Sequence, residues 1–328
     1  MKFNYWMTIL VVLVGTSCTL SSSKSVLVPV QQNNFILVYQ PKGDVFFGPD
    51  TKTLKEGEWY DNWVPNDHGF IKADDGKWHI FGITHPYIAP KHGDIHKGEN
   101  ASFHAVSTTT NFKDAFVTNH FIDKAKVLPP QDRPNEPIVN HAPYIIKKDD
   151  WYYMVYGPSP MRLAVSKDLY EWQSKGNLFH QEGGARDPSL FVQNGKYYMV
   201  YCSQNSVLLR ESDDMLTWSE PKTIFTSVIY EPESPSLIFH NGTYYLVVCS
   251  WDGVWDKKEL VGAYQEKSYV LQSDDMFNFG KNSDKQVATL LGHAPELFQD
   301  EDGDWYISSA EWPNRGVSVD KITWVEKQ

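Results

Sequence analysis

Five times along the chain, an apolar run meets a tight polar turn and then a second apolar run. "RDPSLFVQNGKYYMVYC", from Arg186, shows the unit: a strand, an Asn-Gly turn, and a strand rich in tyrosine, valine and methionine. Asn-Gly or Asp-Gly between such runs predicts a β-hairpin, because both residues accept the positive φ of a tight turn. "HAPYIIKKDDWYYMVYG" from His141 and "ESPSLIFHNGTYYLVVC" from Glu233 align with it without a gap, with Pro143, Pro188 and Pro235 in register. "DHGFIKADDGKWHIFG" from Asp67 fits the same frame with Gly76 on Gly195. "HAPELFQDEDGDWYIS" from His293 fits with one extra residue in its turn.

A second pattern, Ser-x-Asp-x-x-x-aromatic, follows at Ser166–Trp172, Ser212–Trp218, Ser273–Phe279 and Ser318–Trp324, with a degenerate version around Ser107. It predicts a third strand closing on a polar turn, with an aromatic packed under the next sheet. Almost nothing has the period of a long amphipathic helix. Small antiparallel sheets repeated radially predict an all-β fold, a five-bladed β-propeller, as one domain over residues 26–328. An open solenoid is the alternative, but such arrays need atypical capping repeats. "NNFILVYQ" (Asn33–Gln40) is expected to pack against or complete a blade.

Residues 1–25 are expected to lie outside the fold. "MKFNYWMTILVVLVGTSC" has a lysine, an apolar run from Met7 to Val14, and small residues before Cys18, the layout of an export signal. The small residues fit a lipoprotein signal with Cys18 as the lipidated residue, although Gly15 stands where a larger apolar residue is usual. Plain secretion and an uncleaved anchor are the alternatives. The run is short for a bilayer span, so membrane attachment is expected only through the lipid, on an exported protein. Cys202 and Cys249 fall at equivalent places in successive repeats. They are expected as buried free thiols, with a disulfide in an oxidising compartment as the other reading.

A formal charge of −11 with no basic cluster excludes the nucleic-acid binders, which carry a basic footprint. Aromatic residues make up 14% of the chain, including 12 Trp and 18 Tyr, which suits a neutral partner such as a carbohydrate.

In a propeller the first strand of each blade lines the central channel, and its start sits at one mouth. The repeat frame puts Asp67, His141, Arg186 (followed by Asp187), Glu233 and His293 there. A purely structural repeat would favour one small or apolar residue at that point, and here every blade offers an ionisable one. Three carboxylates and an arginine in one aromatic-walled funnel suit glycosidic chemistry. One carboxylic acid must stay protonated to serve the leaving oxygen, and another must be ionised as nucleophile or as base for water. Asp187 beside Arg186 is expected to stay ionised, and Glu233, with no adjacent cation in sequence, to have a raised pKa. A structural ion pair of Arg186 with Asp187 is the plainer alternative.

At these residues the chain resembles the five-bladed propeller glycoside hydrolases, the superfamily of families 32, 43, 62 and 68. "PNDHGF", "ARDPSLF" and "ESPSLIF" are similar to the family 32 blade openings, while "HAPYII" and "GHAPELF" resemble those of family 43, often a lone propeller. His68-Gly69 and Ser234 depart from the family 32 pattern. The resemblance implies a hydrolase acting at chain ends on furanosyl or pentosyl residues, with Asp67 as nucleophile or base. It implies Asp187 as the stabilising carboxylate, Arg186 as a substrate contact and Glu233 as general acid. It implies no required cofactor, and at most a structural calcium in the channel near His293. Family 32 enzymes retain anomeric configuration and family 43 enzymes invert, which corresponds to carboxylate separations of about 5–5.5 Å and about 6.5–9.5 Å. A glycoside phosphorylase and a non-catalytic carbohydrate-binding propeller are the rival functions.

Other features weigh less. "THPYIAPKHGDIHKGENASFH" holds His85, His92, His96 and His104 with Asp94 and Glu99. His92 and His96 would share a helical face, but Gly93 and Pro90 argue against a helix, so a loop rimming the mouth is expected rather than a metal site. His141 and His293 are expected to touch substrate, and His85 either to touch it or to cap its strand. Trp63 is a candidate sugar-stacking residue or a packing residue, with Trp251 and Trp255 behind it. Glu231 is the rival of Glu233 for the acid, since the two share a strand face. Glu296 is expected deeper in the channel.

Overall fold

The protein, described here from a computed structural model, is defined at residues 26–87, 98–251, 254–256, 259–261, 267–310 and 316–327. The expected signal segment, with Cys18, lies outside the described residues, as do His92, Asp94 and His96.

Five antiparallel sheets follow the five repeats. Blade one contains Trp63–Lys72, Trp78–Pro86, Ala101–Ser107 and Phe121–Asp123, in that order from the axis outward. Blade two is His141–Lys148, Trp151–Gly157, Met161–Ser166 and Trp172–Phe179. Blade three is Arg186–Gln193, Lys196–Ser203, Ser206–Ser212 and Lys222–Thr226. Blade four is Glu231–His240, Thr243–Trp251, Lys267–Ser273 and Gln286–Leu291. Blade five combines Leu297–Gln299, Trp305–Ala310 and Val317–Glu326 with two N-terminal strands, Leu27–Gln31 and Ile36–Tyr39, which both pair with Val317–Glu326. The segment around "NNFILVYQ" therefore completes a blade and joins the two ends of the described chain in one sheet.

The unit has four strands where three were expected. The Ser-x-Asp turn is present: Leu169 N–H donates to Ser166 Oγ at 2.9 Å, and Tyr170 and Glu171 N–H both donate to Asp168 Oδ1 at 2.9 Å. Ser212 and Asp214 repeat it. In blade two the aromatic of the motif, Trp172, opens the outermost strand, whose alternating exposure leaves only a faint hydrophobic signature. In blade five the motif marks no turn, because Ser318 and Trp324 lie within the single strand Val317–Glu326.

Apolar clusters fill the spaces between neighbouring blades all the way round. Phe81, Met154 and Tyr156 join blades one and two, and Leu190, Met199 and Leu163 join two and three. Val200, Leu246 and Leu271 join three and four, and Val247, Leu290 and Ile307 join four and five. Phe70, Phe298 and Tyr306 then close five onto one, Phe70 and Phe298 being stacked at 4.5 Å. That last seam rules out the open solenoid. Cys202 and Cys249 are buried free thiols.

Each inner hairpin carries a bulge at the mouth in which two inner-strand residues oppose one. Arg186 pairs with Cys202 and Ser189 with Val200; Glu233 pairs with Cys249 and Ser236 with Val247. His141 with Gly157 and Tyr144 with Val155 repeat the pattern in blade two. The first bulged residue is left-handed in four blades: Ala142 (φ 46), Asp187 (φ 54), Ser234 (φ 45) and Ala294 (φ 47). A proline follows each of them, locking the next φ. Bulges of this kind re-aim side chains at the rims of closed sheets.

Blade one corrects the repeat frame. Pro65 pairs with Thr84 and His68 with Gly82, so its bulge is Asn66-Asp67. Pro65, not Asp67, takes the place of His141, Arg186 and Glu233, and Asp67 sits where the other blades have proline. The longer Ala73–Lys77 turn of this hairpin caused the misalignment. Gly82 lies opposite: a Cβ there would come within 2.7 Å of the Asp67 carbonyl.

Candidate active site

The bulges surround a solvent-open pocket at the axis, to which all five blades contribute. Its outer layer is made by the bulged residues, among them Asp67, Asp187 and Ser234. Its inner layer is the residue after each bulge: His68, Tyr144, Ser189, Ser236 and Glu296. Glu296 is thus deeper in the channel, as expected.

Asp67, Asp187 and Glu233 come together from blades one, three and four. Ser234 ties them: its hydroxyl donates to Asp67 Oδ1 and its N–H to Asp187 Oδ2 at 3.3 Å. Arg186 lies against all the carboxylates on its side, with Nη2 at 2.7 Å from Glu231 and 3.5 Å from Glu233, and Nε at 3.5 Å from Asp187. Burial alone would lower its pKa, but Asp187, Glu233 and Glu231 outweigh that and hold the guanidinium charged. Its Nη2 and Nε are turned to protein carboxylates and the Pro232 carbonyl, so it positions these acids.

Burial, and then the charge of Asp187, push Asp67 up to about 7, against the pull of the Ser234 hydrogen bond. The same two causes raise Glu233 well above the ordinary carboxylate range, with Arg186 opposing them. A protonated Glu233 at neutral pH is the state a general acid needs. Glu231 is the more exposed of the rivals, at 41% of its side chain against 18% for Glu233, and is the one ion-paired at 2.7 Å.

The histidines surround this core at different depths. His141 Nε2 donates to the Glu99 carboxylate, near enough to Asp67 to draw its pKa slightly down. His293 is 1% exposed; its Nε2 donates to Asn66 Oδ1 at 3.0 Å, and burial lowers its pKa to about 3. It braces the residue before Asp67 from behind. His85 is buried with Nδ1 donating to the Pro86 carbonyl at 2.9 Å, the strand-capping arrangement. His104 packs with His79 (2.8 Å between ring nitrogens) and stacks on Phe81 at 4.3 Å, inside blade one and away from the pocket.

Trp63 is not brought to the pocket. It is 2% exposed among Phe46, Leu54 and Tyr60, with Lys126 Nζ 4.0 Å from its ring centroid. Trp59, on the short hairpin before it, is exposed (59%). The side chains of Trp251 and Trp255 lie outside the described residues. Sequence reasoning missed the Ser234 bridge, the Asn66–His293 brace and the Glu99–His141 pair. Only Ser234 carried a signal, as the sole hydroxyl at its position in the repeat.

A calcium at the axis would need six to eight oxygen donors. Near His293, Asn66 Oδ1 already accepts the imidazole, and the Glu296 carboxylate accepts Phe70 N–H and Tyr144 O–H. Among the described residues no three His, Cys, Asp or Glu side chains converge to hold a metal. The described donors do not by themselves fit such an ion.

The comparisons with known proteins follow this geometry. The family model "Glycosyl hydrolases family 43" matches residues 181–327. A thermostable family 43 glycoside hydrolase superposes with a TM-score of 0.59 at 14% identity, covering 81% of this chain and 91% of that one. An exo-1,5-α-L-arabinanase from a bovine ruminal metagenomic library gives 0.56 at 19%, covering 81% and 97%. A family 43 β-xylosidase/α-arabinofuranosidase from a compost microbial metagenome, solved with xylotriose in a calcium-free form, gives 0.56 at 15%, covering 81% and 92%. One curated relative, a 1,2-β-oligomannan phosphorylase of a Thermoanaerobacter species (strain X514), is 33% identical over 96 residues, or 26% of this chain. The match spans about a third (32%) of that relative's length.

Proposed function

The chain resembles the family 43 glycoside hydrolases in sequence over residues 181–327 and in fold over most of its length, and from that premise we propose that it hydrolyses glycosidic bonds with inversion. The observation that carries the reading is that Asp67 and Asp187 line one pocket with Glu233 beside them across Arg186, burial and Asp187 raising the Glu233 pKa and Arg186 standing against Asp187. Glu233 gives its proton to the leaving oxygen. Asp67, once ionised, takes a proton from the attacking water. Asp187 stays against Arg186 and the Ser234 N–H, and adds to burial in raising its two neighbours. The substrate proposed is a terminal arabinofuranosyl, xylosyl or fructosyl unit of an oligo- or polysaccharide, because a pocket closed by five blades admits one chain end. The names of the arabinanase and the xylosidase/arabinofuranosidase support the first two sugars.

The experiment is NMR-monitored release of sugar from aryl α-L-arabinofuranoside, aryl β-D-xyloside, sucrose and levan. The expected result is turnover of one pentosyl substrate with the inverted anomer appearing first. First appearance of the retained anomer would remove Asp67 as base and make it a nucleophile.

The oligomannan phosphorylase match supports a second reading, transfer to phosphate. Against it, the only guanidinium placed against Asp187 and Glu233 among the described residues is Arg186, whose Nη2 and Nε already face carboxylates. Turnover is expected to be independent of inorganic phosphate; a strict requirement for it would overturn hydrolysis. We also propose export, with the lipid on Cys18 as the membrane tether. Labelled palmitate should enter the wild-type chain in a bacterial host and not Cys18→Ser; equal labelling of both would refute the anchor.

A further inference from the structure

Glu296 is a buried carboxyl that the proposed mechanism does not use. It lies in the inner layer of the channel, 6% exposed, and reaches across two blade boundaries. Its Oε2 accepts the Phe70 N–H of blade one at 2.6 Å, and its Oε1 accepts the Tyr144 hydroxyl of blade two at 3.1 Å. The innermost strand of each blade is an edge strand, and a buried N–H left unmet on it is costly. Glu296 meets that need at one point only, three residues beyond Asp67.

The location matters because blade one lacks the device that stiffens the other mouths. Blades two to five place a left-handed residue and then a proline in the bulge, while blade one has Asn66-Asp67 with His68-Gly69 after it. No pyrrolidine ring fixes φ at the one bulge whose second residue is the candidate base.

We infer that Glu296, braced by Tyr144, is a positioning residue that fixes the backbone carrying Asp67, doing across the channel what proline does within the other blades. The inference rests on the hydrolytic reading for its kinetic consequence, but not for its structural one. Burial raises Glu296 to about 8, opposed by its two hydrogen bonds; a glutamine keeps its shape, with its oxygen to accept the Phe70 N–H and its amide to donate to the Tyr144 hydroxyl oxygen. The ionisable groups facing it in the channel are Tyr144, His68, Asp67 and Asp187.

The test compares wild type, Glu296→Gln and Glu296→Ala in kcat, KM and thermal midpoint. It adds ¹³C NMR titration of the aspartate carboxyls, with Asp67 assigned through Asp67→Asn. Glu296→Ala should lower kcat about ten- to hundredfold with KM nearly unchanged, the pattern of a misplaced catalytic group. The Asp67 carboxyl should move in chemical shift and titration midpoint, and Glu296→Gln should restore most of both. A lower thermal midpoint in Glu296→Ala with kcat and the Asp67 titration unmoved would overturn the inference, as would a glutamine variant as impaired as the alanine one. Should Glu296→Ala not fold, Tyr144→Phe removes only the brace and should move the Asp67 titration in the same direction; an unmoved titration overturns the inference. If the wild type turns over no substrate, hydrolysis fails as a reading while the NMR arm still decides the anchor.

Discussion

Glu233→Gln lowers kcat/KM on an alkyl or oligosaccharide glycoside by at least about a hundredfold, within the range for loss of a positioned acid. Glutamine keeps the shape and removes the proton. The loss should shrink on a dinitrophenyl glycoside, whose leaving group needs no protonation, and that contrast separates acid catalysis from lost binding. Glu231→Gln should do far less, because Glu231 is half in solvent and its carboxylate is already spent on Arg186 at 2.7 Å. A full loss at Glu231 with none at Glu233 would reverse the assignment. The alkaline limb of the pH profile belongs to Glu233, since activity requires it protonated and its pKa lies well above the usual range.

Asp67→Asn lowers kcat/KM by on the order of a thousandfold. The wild-type acid limb should rise through about pH 7, because the base must be ionised and burial beside Asp187 holds its pKa there. The same shift has a stability consequence of defined sign. Between the ordinary aspartate pKa of 3.8 and about 7, the folded protein binds more protons at Asp67 than the unfolded chain does. Stability then falls as pH rises through that window, and the cost is fully present above it. Asp67→Asn removes the cost, so its thermal midpoint should exceed that of wild type at pH 8 and draw level near pH 4. Calorimetry at the two pH values checks this; a variant less stable than wild type at pH 8 would mean that the Ser234–Asp67 contact outweighs desolvation. An inactive but more stable variant would mark Asp67 as a residue retained at the expense of the fold.

Much of the site was legible before any coordinates. Asp187 and Glu233 stood out because a gapless repeat brings Arg186, Glu233 and His141 into one register, and the register was right. Asp67 was found by a frame that was wrong by two positions, since hairpin turns of different length hide an offset that only the pairing of Pro65 with Thr84 and His68 with Gly82 exposes. Trp63 was misjudged as readily. An indole near a predicted mouth looks the same in sequence whether it faces solvent or, as here, lies under Lys126. Histidines behaved alike: His293 is at the mouth by register, yet its ring turns inward to Asn66.

What the sequence determined by itself was local and periodic: five hairpins, the Asn-Gly and Asp-Gly turns of four of them, the Ser-x-Asp turns, and hence an all-β propeller with ionisable residues gathered at one end. Period-two patterning and turn chemistry act over a few residues, and both are written in the order of the side chains. The tertiary structure decided the chemistry. Whether a carboxyl is an acid or a base depends on burial and on the charges beside it, and those neighbours come from other blades. Ser234 reaches Asp67 across 167 residues of chain and Glu296 reaches Phe70 across 226. No window along the sequence contains both ends of either bond, so the surroundings that raise Asp67 and Glu233 exist only once the ring is closed.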